Sequence, residues 1–413
     1  MPNRKLSLTL IVSIASWNAV LVSPAHSQTG TEKVLYTFEG GSNAGGPAGP
    51  LVFDKSGNLY GTTEGGGGTC GSYTCGTIYK LEKSKSVWTE SLVYTFSGGS
   101  DGFQSESGAV FDKLGNLYVV TGAGGNSGCY EGAGCGAVLE LTPSDTGWNE
   151  QTLYTFNPST DGGGSSSPLV LNDGNIYGVG RWGGIAGCYF GCGSVFELSP
   201  SGNSWVEKTL YLFQDGSDGA NPFSDQMFYK GNLYGVTSPP SPYGLGGVFE
   251  LKHSKGAWTD STLYSFTGGN DGESPYAGTI FDRAGSIYGT TAFGGAYGYG
   301  TVFKMTLSGG VWTLTTLYAF TGAADGANPS TALTLDNSGN IYGTTSGGGA
   351  GYGVVFELVN SGTGTYSYNT IYSFAGSPDG QQPSSPVTRR GGKLYGTTYL
   401  GGAGYGVVYE ITP

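Results

Sequence analysis

Three short strings recur seven times along the chain, and this repetition limits the fold more than any other feature. Leu-Tyr-x-Phe or a close variant places its tyrosine at 36, 94, 154, 211, 264, 318 and 372. A string near Asn-Leu-Tyr-Gly-Thr-Thr places its tyrosine at 60, 118, 177, 234, 288, 342 and 395. A third, near Gly-Thr-Val-Phe-Glu-Leu, begins at 76, 136, 193, 247, 300, 353 and 406. Successive gaps in the first two series run from 53 to 60 residues.

Each unit reads as four short strands, because alternating β-branched and aromatic residues are bounded by turn residues. In the fifth unit these are Gly278–Asp282, Ser286–Thr291, Gly300–Met305 and Val311–Phe320, with a Gly/Tyr loop from Ala292 to Tyr299. The predicted fold class is all-β, a seven-bladed β-propeller of four-stranded blades. A β-helix needs shorter coils, and separate small domains need linkers that are absent. The last unit stops after its third strand, while Val34–Phe38 stands alone as a fourth strand at the start. The spacing therefore predicts that Val34–Phe38 pairs with Val407–Thr412 and closes the ring, removing an open sheet edge.

These strings resemble the tandem repeats called GloVer or Gloeo/Verruco, found in exported bacterial proteins. The closest copy is Tyr288-Gly289-Thr290-Thr291 with Gly300-Thr301-Val302-Phe303, and the likeness covers 34–413. It implies a propeller-like repeat protein and is nearly silent on activity. Members often carry an anchor near the C-terminus. This chain ends at Pro413 directly after a strand, so release is the expectation.

Composition narrows the function classes. Glycine contributes 79 of 413 residues without a collagen period, and aromatics reach 13%, which argues against disorder. The formal charge of −12 disfavours nucleic acid as a partner. The two histidines, His26 and His253, leave little for catalysis by a histidine base. Arg4 and Lys5, the apolar stretch Leu6–Val22, and Ala25 and Ser27 read as a signal peptide cleaved after Ser27. Residues 28–413 then form one propeller domain, and the product is secreted, periplasmic or extracellular, without a membrane span. The six cysteines form close pairs, Cys70/Cys75, Cys129/Cys135 and Cys188/Cys192. Export favours three local disulfides, and free or metal-bound thiols are the other reading.

Strand order sends the one-to-two and three-to-four turns to one face. The long glycine-rich loops, the inter-blade links and all six cysteines go to the other, where function on a repeat scaffold sits. Each link carries an Asp-Gly pair, at Asp101, Asp161, Asp218, Asp271, Asp325 and Asp379, with Asn43 in the first copy. A ring of these carboxylates near the channel suits Ca²⁺, so calcium is a candidate cofactor. The other reading gives each Asp to its own turn. Tyr299, Tyr352 and Tyr405 precede the glycine of strand three, where earlier blades have Cys75, Cys135, Cys192 and Leu245. They head the candidate ligand-binding residues, together with Arg181 and Trp182. Tyr73, Tyr130, Tyr189, Phe190, Tyr243, Phe103, Phe223 and Tyr276 crowd the same face. Such rings suit sugar stacking, and loop packing is the plainer reading. Trp88, Trp148, Trp205, Trp258 and Trp312 read as blade packing, and His253 as a solvated turn residue.

No nucleophile elbow, P-loop or zinc motif is present. Equivalent Asp positions also argue against glycosidase chemistry, which needs two carboxyls with unlike pKa values. The first reading is a non-catalytic, monomeric propeller that binds a glycan or cell-surface polymer. An extracellular lyase or hydrolase and a structural spacer are the alternatives. An enzyme would show a blade departing from the others at the channel, and Arg181 and Arg389-Arg390 are the departures noted.

Overall fold

The computed structural model describes residues 28–413 except 127, 128, 130–132, 158, 159, 166, 185–187, 189, 190, 224–226 and 239–244. The signal-peptide reading falls outside these residues, as do Tyr130, Tyr189, Phe190 and Tyr243. Seven antiparallel sheets, each four strands across, form a β-propeller, with no helix among the described residues. Blades 1 to 6 span 45–95, 109–155, 170–212, 227–265, 280–319 and 334–373.

In blade 5 the strands run Ile280–Phe281, Ile287–Thr291, Thr301–Ser308 and Val311–Ala319, from the channel outward. The innermost strand is shorter than the pattern predicts, and near the axis threonine and serine hydroxyls of several blades bond to main chain of the adjoining blade. The Gly108 N–H donates to Thr62 Oγ1 at 3.1 Å, and the Thr334 hydroxyl donates to the Val387 carbonyl at 2.6 Å.

Blade 7 closes the ring as the spacing predicts. Its strands are Lys393–Gly401 and Val407–Thr412, an inner edge split into Gly380–Pro383 and Thr388–Arg390, and the outermost strand Thr31–Thr37 from the other end of the chain. Thr31 stands opposite Thr412, and Thr37 opposite Val407.

The repeating strings have separate packing duties. The phenylalanine of Leu-Tyr-x-Phe is buried in every copy and meets an aromatic ring of the next blade in six of them. Phe320 lies edge-on to Phe356 at 5.2 Å, and Phe38 carries the contact across the seam to Tyr79 at 5.0 Å. The glycine of Tyr-Gly-Thr-Thr sits across the strand pair from that ring, leaving it room: a Cβ on Gly289 would lie 2.6 Å from Phe303 Cζ. Blade 2 exchanges the two volumes and pairs Val119 with Leu139. The glycine before strand three adopts φ between 80° and 94° in all seven blades. In blade 4 that residue is Gly246, one position before the glycine the string match selects. Tryptophan packs between blades as expected, Trp148 reaching Tyr60 at 6.0 Å. His253, expected in a turn, lies at the exposed end of strand Gly247–Ser254, where it stands opposite Trp258 and stacks on it.

All six cysteines pair locally, 70–75, 129–135 and 188–192, with Cα separations of 5.1, 4.9 and 5.0 Å. Three disulfides fit an oxidising compartment. No helix among the described residues is long and apolar enough to cross a membrane.

Candidate functional site

The loop-rich face is built by one device used in every blade. Three residues after the link acid, the chain enters the left-handed region, at Gly46, Gln104, Gly164, Asn221, Ser274, Asn328 and Gln382, with φ from 49° to 66°. Each of these N–H groups donates to the carbonyl of the residue before the strand-three glycine of the preceding blade. The acceptors are Tyr405, Cys75, Cys135, Cys192, Leu245, Tyr299 and Tyr352, at 2.8–3.0 Å. Seven such bonds aim each link at the axis.

The link acids latch this turn and do not gather at the channel, which corrects the converging ring expected above. Tyr94, Tyr154, Tyr211, Tyr264, Tyr318 and Tyr372, all on outermost strands, donate their phenols to Asp101, Asp161, Asp218, Asp271, Asp325 and Asp379 at 2.6–3.1 Å. The same carboxylates accept N–H bonds from four residues earlier, for example Ser97 N at 2.7 Å and Thr321 N at 2.8 Å. A carboxylate already saturated by its own loop has little left for a metal. Among the described residues, no three His, Cys, Asp or Glu side chains group to hold one.

Residues from all seven blades line a cavity of about 640 Å³ at the channel mouth. Two sets of equivalent positions supply its charged and aromatic side chains. The fifth residue after the link acid contributes Ala48, Glu106, Phe223, Tyr276, Ser330 and Ser384, with position 166 outside the described residues. The fourth residue after the tyrosine of Tyr-Gly-Thr-Thr contributes Glu64, Arg181, Ser346 and Tyr399. Arg181, a candidate from the sequence, lines this cavity. Glu64, Glu106 and Tyr399 were missed, although the signal was present. At the latter position the seven blades read Glu64, Gly122, Arg181, Ser238, Ala292, Ser346 and Tyr399, directly after a string that barely varies.

The mouth holds two carboxylates in unlike surroundings. Burial and then the charge of Glu106 push the Glu64 carboxyl up to about 7, while the Tyr399 phenol, donating at 3.2 Å, opposes the rise. Burial also raises Glu106, and the opposing charge of Arg181 offsets part of this. The Arg181 guanidinium carbon lies 4.3 Å from the ring centroids of both Trp182 and Phe223, a cation-π arrangement that fixes it on the aromatic side of the mouth. Trp182 also covers Gly164, whose Cβ would meet its ring at 2.0 Å.

The three candidate tyrosines lie away from this cavity. Tyr299, Tyr352 and Tyr405 each lay one ring face over a link glycine, Gly322, Gly376 and Gly40, where a Cβ would approach within 2.6, 3.0 and 2.5 Å. Cys70 covers Gly98 in the same way, so ring and disulfide brace equivalent loops. The tyrosines remain 45%, 39% and 48% exposed, enough to present an open edge to solvent. Phe103 is buried, and Tyr73 packs beside it at 5.8 Å. Arg389 and Arg390 belong to the other, tight-turn side of their blade: Arg389 lies 3.7 Å from Asp336, and Arg390 lies over the Phe53 ring at 4.4 Å.

The latch acids have acidic neighbours across the blade boundaries. Burial first, and then the charges of Asp379, Asp161 and Asp218, raise Glu32 to about 7, Glu207 to about 7 and Asp260 to about 6. With Glu64, the native state binds extra protons between about pH 4.5 and 7, so stability falls as pH rises through that window. Hydrogen bonds lower Asp54, Asp271 and Asp282, and the stability these contribute is lost on acidification below about pH 4. The melting temperature should therefore peak near pH 5 and be lower at pH 8. Calorimetric melts across this range check it, and a flat or rising profile from pH 5 to 8 would contradict the assignment.

The fold and the mouth define a seven-bladed propeller with one asymmetric central cavity. The sequence profile of the Gloeobacter/Verrucomicrobia repeat matches residues 68–285 and 228–413, and the chain belongs to that family. Comparison with curated protein sequences returns no match. Among solved structures, a Thermus thermophilus protein classed as an oxidoreductase (glucose dehydrogenase) shares 14% identity at a TM-score of 0.47, covering 92% of this chain and 99% of its own. The calcium structure of a Trichoderma reesei Carbohydrate-Active Enzymes Family AA12 protein shares 12% at 0.46, covering 94% and 96%. A Penicillium chrysogenum α-L-arabinanase complexed with arabinobiose shares 12% at 0.45, covering 92% and 98%.

Proposed function

We propose that this protein is an exported, monomeric binding propeller that captures an extracellular glycan at its channel mouth. Residues 1–27 serve as the export signal and 28–413 as the propeller. The observation that carries the reading is where the repeat breaks. Packing, latch and turn positions recur around the ring, while the two positions that give the cavity its charged and aromatic side chains differ from blade to blade. A scaffold has no need of this variation, whereas an asymmetric ligand does. Phe223 and Tyr276, packed edge to face at 5.4 Å, give the mouth an apolar aromatic wall, and Glu64, Glu106, Arg181, Tyr399 and the serines offer hydrogen bonds. The exposed edges of Tyr299, Tyr352 and Tyr405 give a longer polymer secondary contacts on the rim.

A glycan-array screen of residues 28–413, followed by titration of the best hit, tests this. Phe223→Ala and Tyr276→Ala should each weaken binding about tenfold or more, with circular dichroism unchanged, and Tyr405→Ala should weaken only polymer binding. Absence of any glycan ligand would favour the spacer reading.

One observation supports a second, hydrolytic reading. Glu64 and Glu106 face one cavity from unlike surroundings, Glu64 beside the Tyr399 phenol and Glu106 beside the charge of Arg181, which the latch acids do not. Glu64 would donate its proton to the departing glycosidic oxygen as the C–O bond breaks. Glu106 would take a proton from the water whose oxygen attacks the anomeric carbon. Release of reducing ends from the bound glycan, lost in both Glu64→Gln and Glu106→Gln, would establish it.

A further inference from the structure

We infer that the channel mouth is built for a positively charged group, so that the glycan it takes carries free ammonium groups, as a polymer of 2-amino-2-deoxy sugars does. This rests on the glycan-binding reading and names its ligand class. Among the described residues, the charged groups lining the cavity are Glu64, Glu106 and Arg181, one carboxylate more than the cations. Arg181 is held against Trp182 and Phe223, and its charge offsets Glu106. Glu64 is met by the neutral phenol of Tyr399, so the mutual repulsion of the two carboxylates is left for a ligand to relieve.

An ammonium group suits this vacancy in charge. Its three donors and positive charge favour the ionised, accepting forms of both carboxyls, and charge-assisted bonds of that kind are stronger than neutral ones. Among the described residues, two carboxylates without a third acidic, His or Cys side chain give a metal ion few ligands, which makes it the poorer occupant. The formal charge of −12 also draws a polycation toward the molecule.

The probes are a 1,4-linked glucosamine tetramer and its fully N-acetylated counterpart. Both are titrated against residues 28–413 at a pH where the amines are protonated, in low and in high salt. The amine tetramer should bind about tenfold more tightly than the acetylated one. Salt should weaken the amine form alone. In Glu64→Gln and in Glu106→Gln the preference should fall to within about twofold. Equal affinity for the two tetramers, or a preference unchanged in both variants, overturns the inference and leaves glycan binding standing. If neither tetramer binds while neutral glycans bind on the array, the inference fails alone. If nothing on the array binds, the glycan-binding reading has failed and the inference goes with it. The wild-type comparison of tetramers and its salt dependence decide the matter even if a variant does not fold.

Discussion

Deleting residues 28–38 should abolish cooperative folding or lower the melting temperature by tens of degrees, although these residues lie more than 340 positions from the blade they complete. The segment supplies the outermost strand of blade 7, paired from Thr31 opposite Thr412 to Thr37 opposite Val407. Its loss strands the edge of Val407–Thr412, which then invites pairing with another copy. It also removes two buried anchors. Leu35 packs in the seam cluster, and Phe38, fully buried, lies edge-on to Tyr79 of blade 1. Truncating one buried Leu costs about 2–5 kcal/mol and one buried Phe about 3–5 kcal/mol. Together these rival the roughly 5–15 kcal/mol of net stability typical of a domain. Thermal melts and size-exclusion chromatography of the full and shortened chains give the answer. A shortened chain that stays monomeric with an unchanged melting temperature would refute closure through the termini.

Gly289→Val should destabilise blade 5 by about 3 kcal/mol or more, and adding Phe303→Leu should recover a large part of that loss. Residues 289 and 303 stand opposite each other in the sheet, and a Cβ on Gly289 would reach 2.6 Å from Phe303 Cζ. The ring is fully buried and wedged against Phe266 at 5.3 Å, so it has nowhere to retreat. Phe303→Leu alone should cost about 1–2 kcal/mol, since part of the ring volume is lost without a collapse to fill it. Blade 2 already contains the compensated pair, Val119 opposite Leu139, both with no exposed surface. Denaturant unfolding of both single variants and the double variant forms a mutant cycle. The coupling should be about 1–3 kcal/mol in the rescuing direction, and strict additivity would show that the two blades solve their packing differently.

The architecture was legible because its causes are local and repeated. Strand alternation, turn glycines and the buried phenylalanine act within one blade or between neighbours, so seven copies of a string report them seven times. Ring closure was legible from the unmatched strand at each end, and the disulfides from loops too short to reach other partners. The volume swap in blade 2 was visible as Val119 in place of glycine, but its meaning needed the register that sets it against Leu139. The site was harder. The recurrent Asp drew attention because it repeats, and it proved to be a latch, since the strand-four tyrosine seven residues earlier reaches it across the turn. Glu64, Glu106, Arg181 and Tyr399 carry no motif and come from different blades. Their juxtaposition arises only when closure brings blade 7 beside blade 1 and the left-handed link residues aim each loop at the axis. The sequence by itself determined the blade and the number of blades, because strand pairing and aromatic packing depend on near neighbours. Only the tertiary structure decided which variable residues share one cavity and feel one another's charge, because electrostatic coupling depends on distance through space across the ring.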